Sequence, residues 1–304
     1  MKELLDKIHK PGWTWHDIFI IPVLLAIFFS VVGGLVGSVF PPLLNLLMKG
    51  SPLEPLNDLY VPFIGDWIVL LLYMRFTTYN RPILRAIGNR PRHNRVPYAL
   101  VGILIGFLMN FFCAGIAMLN RDIAITFDHV NILYLVYLLV IVFIQSSSEE
   151  LFQRGFVYQR IRKGYKGLWP AVLINSLAFA ILHLGNPGIS MMSFMNLALV
   201  GIFYSVCVRY FDSIWLPMGI HAGWNFTQHI LLGLPNSGIV SSYSVFTLDA
   251  ANARNSLAYD TNFGVEGTLT ATLLHLVLTV LVVYFGEKKK VTSYSPWLDQ
   301  QTSD

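Results

Sequence analysis

The chain reads as an all-α membrane protein: a polytopic helix bundle with about eight transmembrane helices and both termini cytoplasmic. Three observations predict this. Of its 304 residues, 55% are hydrophobic and only 12% charged, whereas soluble domains carry about 25% charged residues, and the mean hydropathy is +0.57. The apolar residues gather in runs near the roughly 20 needed to cross a bilayer. The basic residues fall between those runs in short clusters, and they fall unevenly.

The opening MKELLDKIHKPGWTWHD is polar and amphipathic, an interfacial lead-in over 1–17 with Trp13 and Trp15 at headgroup depth. The apolar run behind it is too long for the core of a signal peptide. It forms the first span, Ile18 to Phe40, which stops at Pro41-Pro42 because proline has no N–H to continue a helix. The second, Leu59 to Phe76, carries Asp66 in an otherwise apolar run. The third is Val96 to Leu119, and the fourth runs from Asn131 through an acidic stretch to Arg160. The fifth, Leu168 to Leu184, is closed by Gly185-Asn186-Pro187-Gly188. Ser190 to Tyr210, Ile214 to Leu232 and Glu266 to Phe285 complete the set.

Placing the N-terminus inside puts seventeen basic residues on inner segments: Lys2, Lys7, Lys10; Arg75, Arg81, Arg85, Arg90, Arg92, Arg95; Arg160, Arg162, Lys163, Lys166; Arg209; and Lys288, Lys289, Lys290. Outer segments hold three, Lys49, Arg121 and Arg254. This is the positive-inside pattern, and one missed or extra span would break it. The outer loop Gly233 to Val265, rich in Ser, Asn and Gly, is expected to be mobile, and the tail VTSYSPWLDQQTSD to be disordered. The organisation is therefore the lead-in, one integral membrane domain over 18–286 with a motif core at 131–232, and a cytoplasmic polar tail over 287–304. The net charge of +4 lies in loop clusters, which points to membrane lipids and away from nucleic acid. Cys113 and Cys207 sit in apolar runs and read as packing residues, neither a disulfide nor a metal pair.

Three polar groups interrupt the spans. Span four carries SSEELFQRG, with Glu149, Glu150 and Arg154; span five carries Phe179 and His183; span seven carries His221 and Asn225. Charged residues at membrane depth are costly, rare and functional. Residues four apart share a helix face, so His221 and Asn225 project together and Glu150 can pair with Arg154, while Glu149 points about 100° away from Glu150. At 1.5 Å per residue Glu149 lies roughly 16 Å above the inner end of its span, His183 roughly 22 Å, and His221 with Asn225 roughly 10 to 17 Å. Three helices can thus bring a carboxylate, two imidazoles and an amide to one layer. Asp66 reads as a buried polar contact, His129 as a loop residue, and His229 and His275 as packing or interfacial residues. The sequon Asn225-Phe226-Thr227 lies at membrane depth, where it is unusable.

A carboxylate beside an imidazole can position and deprotonate water. A second imidazole with an amide can donate to an oxyanion. This is equipment for hydrolysing a peptide bond. The same Glu149, His183 and His221 also make a catalytic zinc set with one position left for water. No HExxH is present, Gly65-Asp66 follows Phe63-Ile64 rather than the pattern of aspartyl intramembrane proteases, and Ser146 to Ser148 lie in no G-x-S-x-G.

The ordered set EExxxR, FxxxH and HxxxN resembles the CPBP family of CAAX proteases and bacteriocin-processing enzymes, also called ABI, which includes the Rce1-type prenyl endopeptidases. The resemblance covers about Asn131 to Leu232. It implies an eight-helix intramembrane endopeptidase with a conical cavity open to the membrane, of the bacterial cell membrane. It also implies roles: Glu149 activates water with His183, His221 and Asn225 hold the oxyanion, and Glu150 with Arg154 orients the site. The expected partner is a peptide or protein substrate, lipidated or membrane-embedded; the resemblance does not fix whether it is prenylated. The favoured reading needs no cofactor, since Leu182, Leu184 and Phe179 offer His183 no side-chain acceptor of the kind zinc-binding imidazoles use. A zinc metalloprotease on the same residues is the alternative. A proton-coupled transporter or a non-catalytic scaffold or immunity protein are alternatives of another class.

Overall fold

The computed structural model describes residues 6–297. The predicted contributions of residues 1–5, Lys2 among them, and of 298–304 lie outside the described residues. All eight predicted segments are helical, and among the described residues six helical runs are long and apolar enough to cross a membrane. The first comprises α1 (Ile20–Gly37) and α2 (Phe40–Leu47). Pro41 and Pro42 sit in the first turn of α2, where a missing N–H costs nothing, so the diproline opens a second helix where an end was expected. The second comprises α3 (Glu54–Tyr60) and α4 (Phe63–Phe76). After the short α5 (Ile83–Ile87) come α6 (Val96–Leu119) and the outer strand β1 (Ile125–Phe127). The fourth run joins α7 (Ile132–Glu150), wide π turns over Leu151–Val157, and α8 (Tyr158–Gly164). Then follow α9 (Trp169–Leu182), α10 (Met191–Phe211), α11 (Trp215–Asn225) with π turns over Phe226–Leu231, β2 (Phe246–Leu248) and α12 (Leu269–Lys288).

Two of the predicted spans are shorter than a crossing needs. The 14 residues of α9 cover about 21 Å, and the 11 of α11 about 17 Å before their π turns. Within the protein α11 ends among buried residues, whereas α9 ends beside the cavity with Leu182 and Leu184 exposed. Backbone that leaves a helix at membrane depth is tolerated only where protein buries it or a cavity receives it, and these are the helices that carry His183, His221 and Asn225.

Glycine contacts set their position. A Cβ on Gly106 of α6 would stand 2.0 Å from the Ile220 carbonyl oxygen, and one on Gly223 of α11 2.1 Å from that of Ile103. The two backbones touch through Gly102, Gly106, Gly219 and Gly223, the small-residue contact that replaces hydrophobic driving force in a membrane. His221 and Asn225 are carried by a helix clamped at backbone level.

The segments assigned to one side by their basic residues meet at one end. Asp17 pairs with Arg160 and, at 3.7 Å, with Lys163. Lys10 Nζ donates to the Arg162 carbonyl at 2.7 Å, and Arg162 Nη1 to that of Tyr294 at 2.6 Å. Asp212, at the end of α10, accepts from the Arg92 and Tyr294 backbones. The tail is therefore docked over 291–297 rather than disordered, because the half-buried Arg162 and Arg209 bind its carbonyls and Trp297 donates to the Gln159 carbonyl. The opposite end also corrects an expectation. The loop following Gly233 is held: β2 pairs antiparallel with β1, Thr247 opposite Thr126; Ser256 Oγ donates to Asp122 at 2.6 Å; Val245 N–H donates to the Ile230 carbonyl at 3.0 Å. Its Ser, Asn and Gly residues make turns and caps, a use that composition cannot separate from disorder.

Candidate active site

Glu149 lies midway along the 33-residue run Ile132–Gly164. Its Oε2 stands 3.8 Å from His183 Nε2 and 3.9 Å from His221 Nε2. These gaps are too wide for direct hydrogen bonds and fit a group lodged between the three. Glu149 is 22% exposed and the imidazoles 15% and 10%, so the trio faces a space rather than the packed core. That space is a cavity of about 320 Å³, also lined by Gln145, Asn225, Asp66 and Gln153.

Glu150 turns the other way. Its Oε1 accepts from Arg154 Nη1 at 3.1 Å, the pair that their spacing predicts, and both side chains are fully buried. The same oxygen lies 3.0 Å from His221 Nδ1. Arg154 Nη2 donates to the Gly201 carbonyl at 3.1 Å, and its guanidinium lies over the rings of Phe179 and Tyr204 at 4.7 and 5.3 Å. One buried ion pair thus ties α7 to α10 and α11 and sets how the His221 ring faces the cavity.

His183 caps the end of α9, and its Nδ1 bonds the Phe179 carbonyl at 2.8 Å. The sequence offers this imidazole no side-chain acceptor, and it finds an acceptor all the same. The acceptor is backbone, one turn earlier, and His221 has Glu150. Each ring has its Nδ1 engaged and its Nε2 turned to Glu149. Such Nδ1 acceptors are what zinc-binding imidazoles use. Tetrahedral zinc ligands at about 2.0–2.1 Å lie roughly 3.4 Å apart, so zinc would draw the three side chains closer than their present 3.8 and 3.9 Å.

Asn225 is brought to the same wall, and its Nδ2 donates to Ser146 Oγ at 3.1 Å and Gln145 Oε1 at 3.3 Å. Gln145 Nε2 donates in turn to Glu149. Sequence reasoning missed Gln145 and Ser146, although Gln145 lies one turn before Glu149 on the same face. Asp66, read as a buried polar contact, and His229, read as a packing or interfacial residue, both line the cavity, with the Tyr60 hydroxyl 2.5 Å from His229 Nδ1. His275 is buried against Phe203 and Trp224, and His129 is exposed beside Asp128, as expected.

Glu266 was also missed. It lies in a short turn before α12, outside the spanning run, where Ser237 Oγ at 3.1 Å and the Ser237 N–H donate to it. It borders a small space behind His221 and Asn225. Burial pushes its carboxyl up to about 7, against the pull of the Ser237 donors. A carboxyl raised above its unfolded value of 4.5 stabilises the fold most when protonated, and that contribution is lost as pH rises through the window from 4.5 to about 7. The difference is on the order of 3 kcal/mol. The melting temperature in detergent should therefore fall between pH 5.5 and pH 8, and Glu266→Gln should flatten the fall; an unaltered pH dependence in the variant would remove Glu266 as its source.

The fold and the site together define a polytopic α-helical membrane protein with a carboxylate–imidazole site inside the membrane. Residues 131–227 match the family model described as type II CAAX prenyl endopeptidase Rce1-like, so this segment is similar to that family of peptidases. The chain is also similar to the uncharacterized protein YyaK of Bacillus subtilis (strain 168), at 25% identity over 251 residues, covering 76% of this chain and 78% of that one. No solved structure is a significant match.

Proposed function

We propose that the protein is an intramembrane endopeptidase of the bacterial cell membrane, hydrolysing peptide bonds of a membrane-embedded substrate with water activated by Glu149. The observation that carries this is the convergence of Glu149 Oε2 with both Nε2 atoms on a cavity at membrane depth. A water between the three can give its proton to Glu149 while His183, fixed by the Phe179 carbonyl, holds it in line. Attack on the peptide carbonyl puts negative charge on its oxygen, which Asn225 receives together with His221, protonated on Nε2 while its Nδ1–H is held by Glu150. As the intermediate collapses, Glu149 passes its proton to the leaving amine. Asn225 must first let go of Gln145 or Ser146, so substrate entry completes this pair of donors. Glu150, Arg154 and Gln145 are positioning residues. They fix the rings and the base without reaching the reacting atoms.

The purified protein in nanodiscs should cut a membrane-anchored reporter peptide into two fragments, identified by mass, each bearing the termini of simple hydrolysis. The second reading, zinc hydrolysis, is favoured by the Nδ1 acceptors on both imidazoles. On the metal-free reading, activity survives prolonged treatment with a membrane-permeant zinc chelator and the active protein carries well under one zinc per chain. Stoichiometric zinc, with activity lost on chelation and restored by zinc, would establish the other scheme.

The basic end faces the cytoplasm on this reading. A cysteine placed at Arg92 should resist an impermeant thiol reagent in intact cells and react in inverted vesicles; labelling from outside would reverse the topology.

A further inference from the structure

Four acceptor oxygens on the cavity's lining residues are buried without a donor among the described residues: Asp66 Oδ1, Glu149 Oε2, Gln153 Oε1 and Asn236 Oδ1. Two belong to carboxyl groups. No lysine or arginine among the described residues lines the cavity. Arg154 is turned away, held by Glu150 and Gly201. Asp66 is 4% exposed, and its Oδ1 lies over Gly33 of α1, where a Cβ would come within 2.1 Å of it. The neighbouring helix is thus cut back to glycine at the point where this carboxyl group packs. A carboxyl group in an apolar wall without a donor is unfavourable, and acidic residues at membrane depth pair or serve a ligand. Glu149 is assigned to water, which leaves Asp66, Gln153 and the amide of Asn236 unexplained by the chemistry, Asp66 being the acid among them.

A lining rich in free acceptors and without a cation fits a group that only donates. Ammonium and guanidinium have N–H donors and no acceptor. We propose, on the peptidase reading above, that Asp66 and Gln153 form a subsite for a basic side chain beside the bond that is cut, so that the enzyme selects Lys or Arg in an otherwise apolar peptide. The aliphatic stem of such a side chain suits the remaining lining, Ala26, Phe63 and Phe152. A Glu side chain at that position would meet two carboxyl groups.

The test uses the full chain in nanodiscs with His183→Ala, which keeps both carboxyl groups and halts turnover. Two fluorescein-labelled apolar nonapeptides differing at one residue, Lys or norleucine, are titrated against it. The Lys peptide is expected to bind about tenfold more tightly, the order of one charge-assisted hydrogen bond. Asp66→Asn on that background should bring its affinity down to that of the norleucine peptide. Gln153→Met, reaching the same subsite from the π turns, should lower the Lys preference about threefold and keeps the test readable if Asp66→Asn is not recovered folded. Equal binding of the two peptides, or a Lys preference that survives both substitutions, overturns the subsite. Hydrolysis by the unsubstituted protein is scored separately. Lys-selective binding without cleavage would remove the peptidase reading and keep the subsite; cleavage without Lys preference would do the reverse.

Discussion

Glu149→Gln is expected to abolish peptide hydrolysis while the protein still accumulates in the membrane. The substitution keeps shape and an acceptor oxygen but removes the base, and a positioned general base contributes roughly 10²–10⁴-fold. Its Oε2 has no hydrogen-bond partner among the described residues, and the acceptor oxygen of Gln can still receive the Gln145 amide, so the network through Gln145 and Asn225 survives when the charge goes. Reporter cleavage in membranes, normalised to protein detected by immunoblot, measures both halves of the statement. Activity of the variant near the unsubstituted level would take the base assignment away from Glu149.

Glu150→Gln should do nearly the opposite. Glu150 and Arg154 are both fully buried, and removing one partner of such a pair costs about 3–5 kcal/mol because the other charge stays behind. The same change weakens the contact that orients His221 through Nδ1. The expected result is a large loss of thermal stability in detergent and of steady-state level, with residual hydrolysis per folded molecule above that of Glu149→Gln. Replacing both partners, as Glu150→Gln with Arg154→Met, should recover much of the stability, since no uncompensated charge remains. If the two single variants were equally active and equally stable, the division between a cavity-facing base and a buried positioning pair would fail.

Several parts of this protein were legible before folding. Helical segments follow from local apolar composition, and the alternation of basic clusters matches the segments gathered at one end, where Asp17, Arg160, Asp212 and the 291–297 stretch bind one another. The Glu150–Arg154 pair is a property of one helix, so its spacing is sufficient to read it. Depth counted along three helices placed Glu149, His183, His221 and Asn225 in one layer, because rise per residue is constant.

What the sequence by itself determined, then, were features that one segment sets alone: span, face, height and the order of the polar motifs within the stretch that matches the Rce1-like model. Only the tertiary structure decided which faces meet. The rotation of α11 is set by backbone contact with α6 at Gly106 and Gly223, and that rotation turns His221 toward both Glu149 and Glu150. The acceptor for His183 is a backbone carbonyl, invisible to any inspection of neighbouring side chains. Asp66, three helical runs away from His183 along the chain, shares its cavity because Gly33 lets α4 close on α1. Facing between helices depends on contacts distant in sequence, whose consequence is a rotation angle; periodicity along one helix carries no information about that angle.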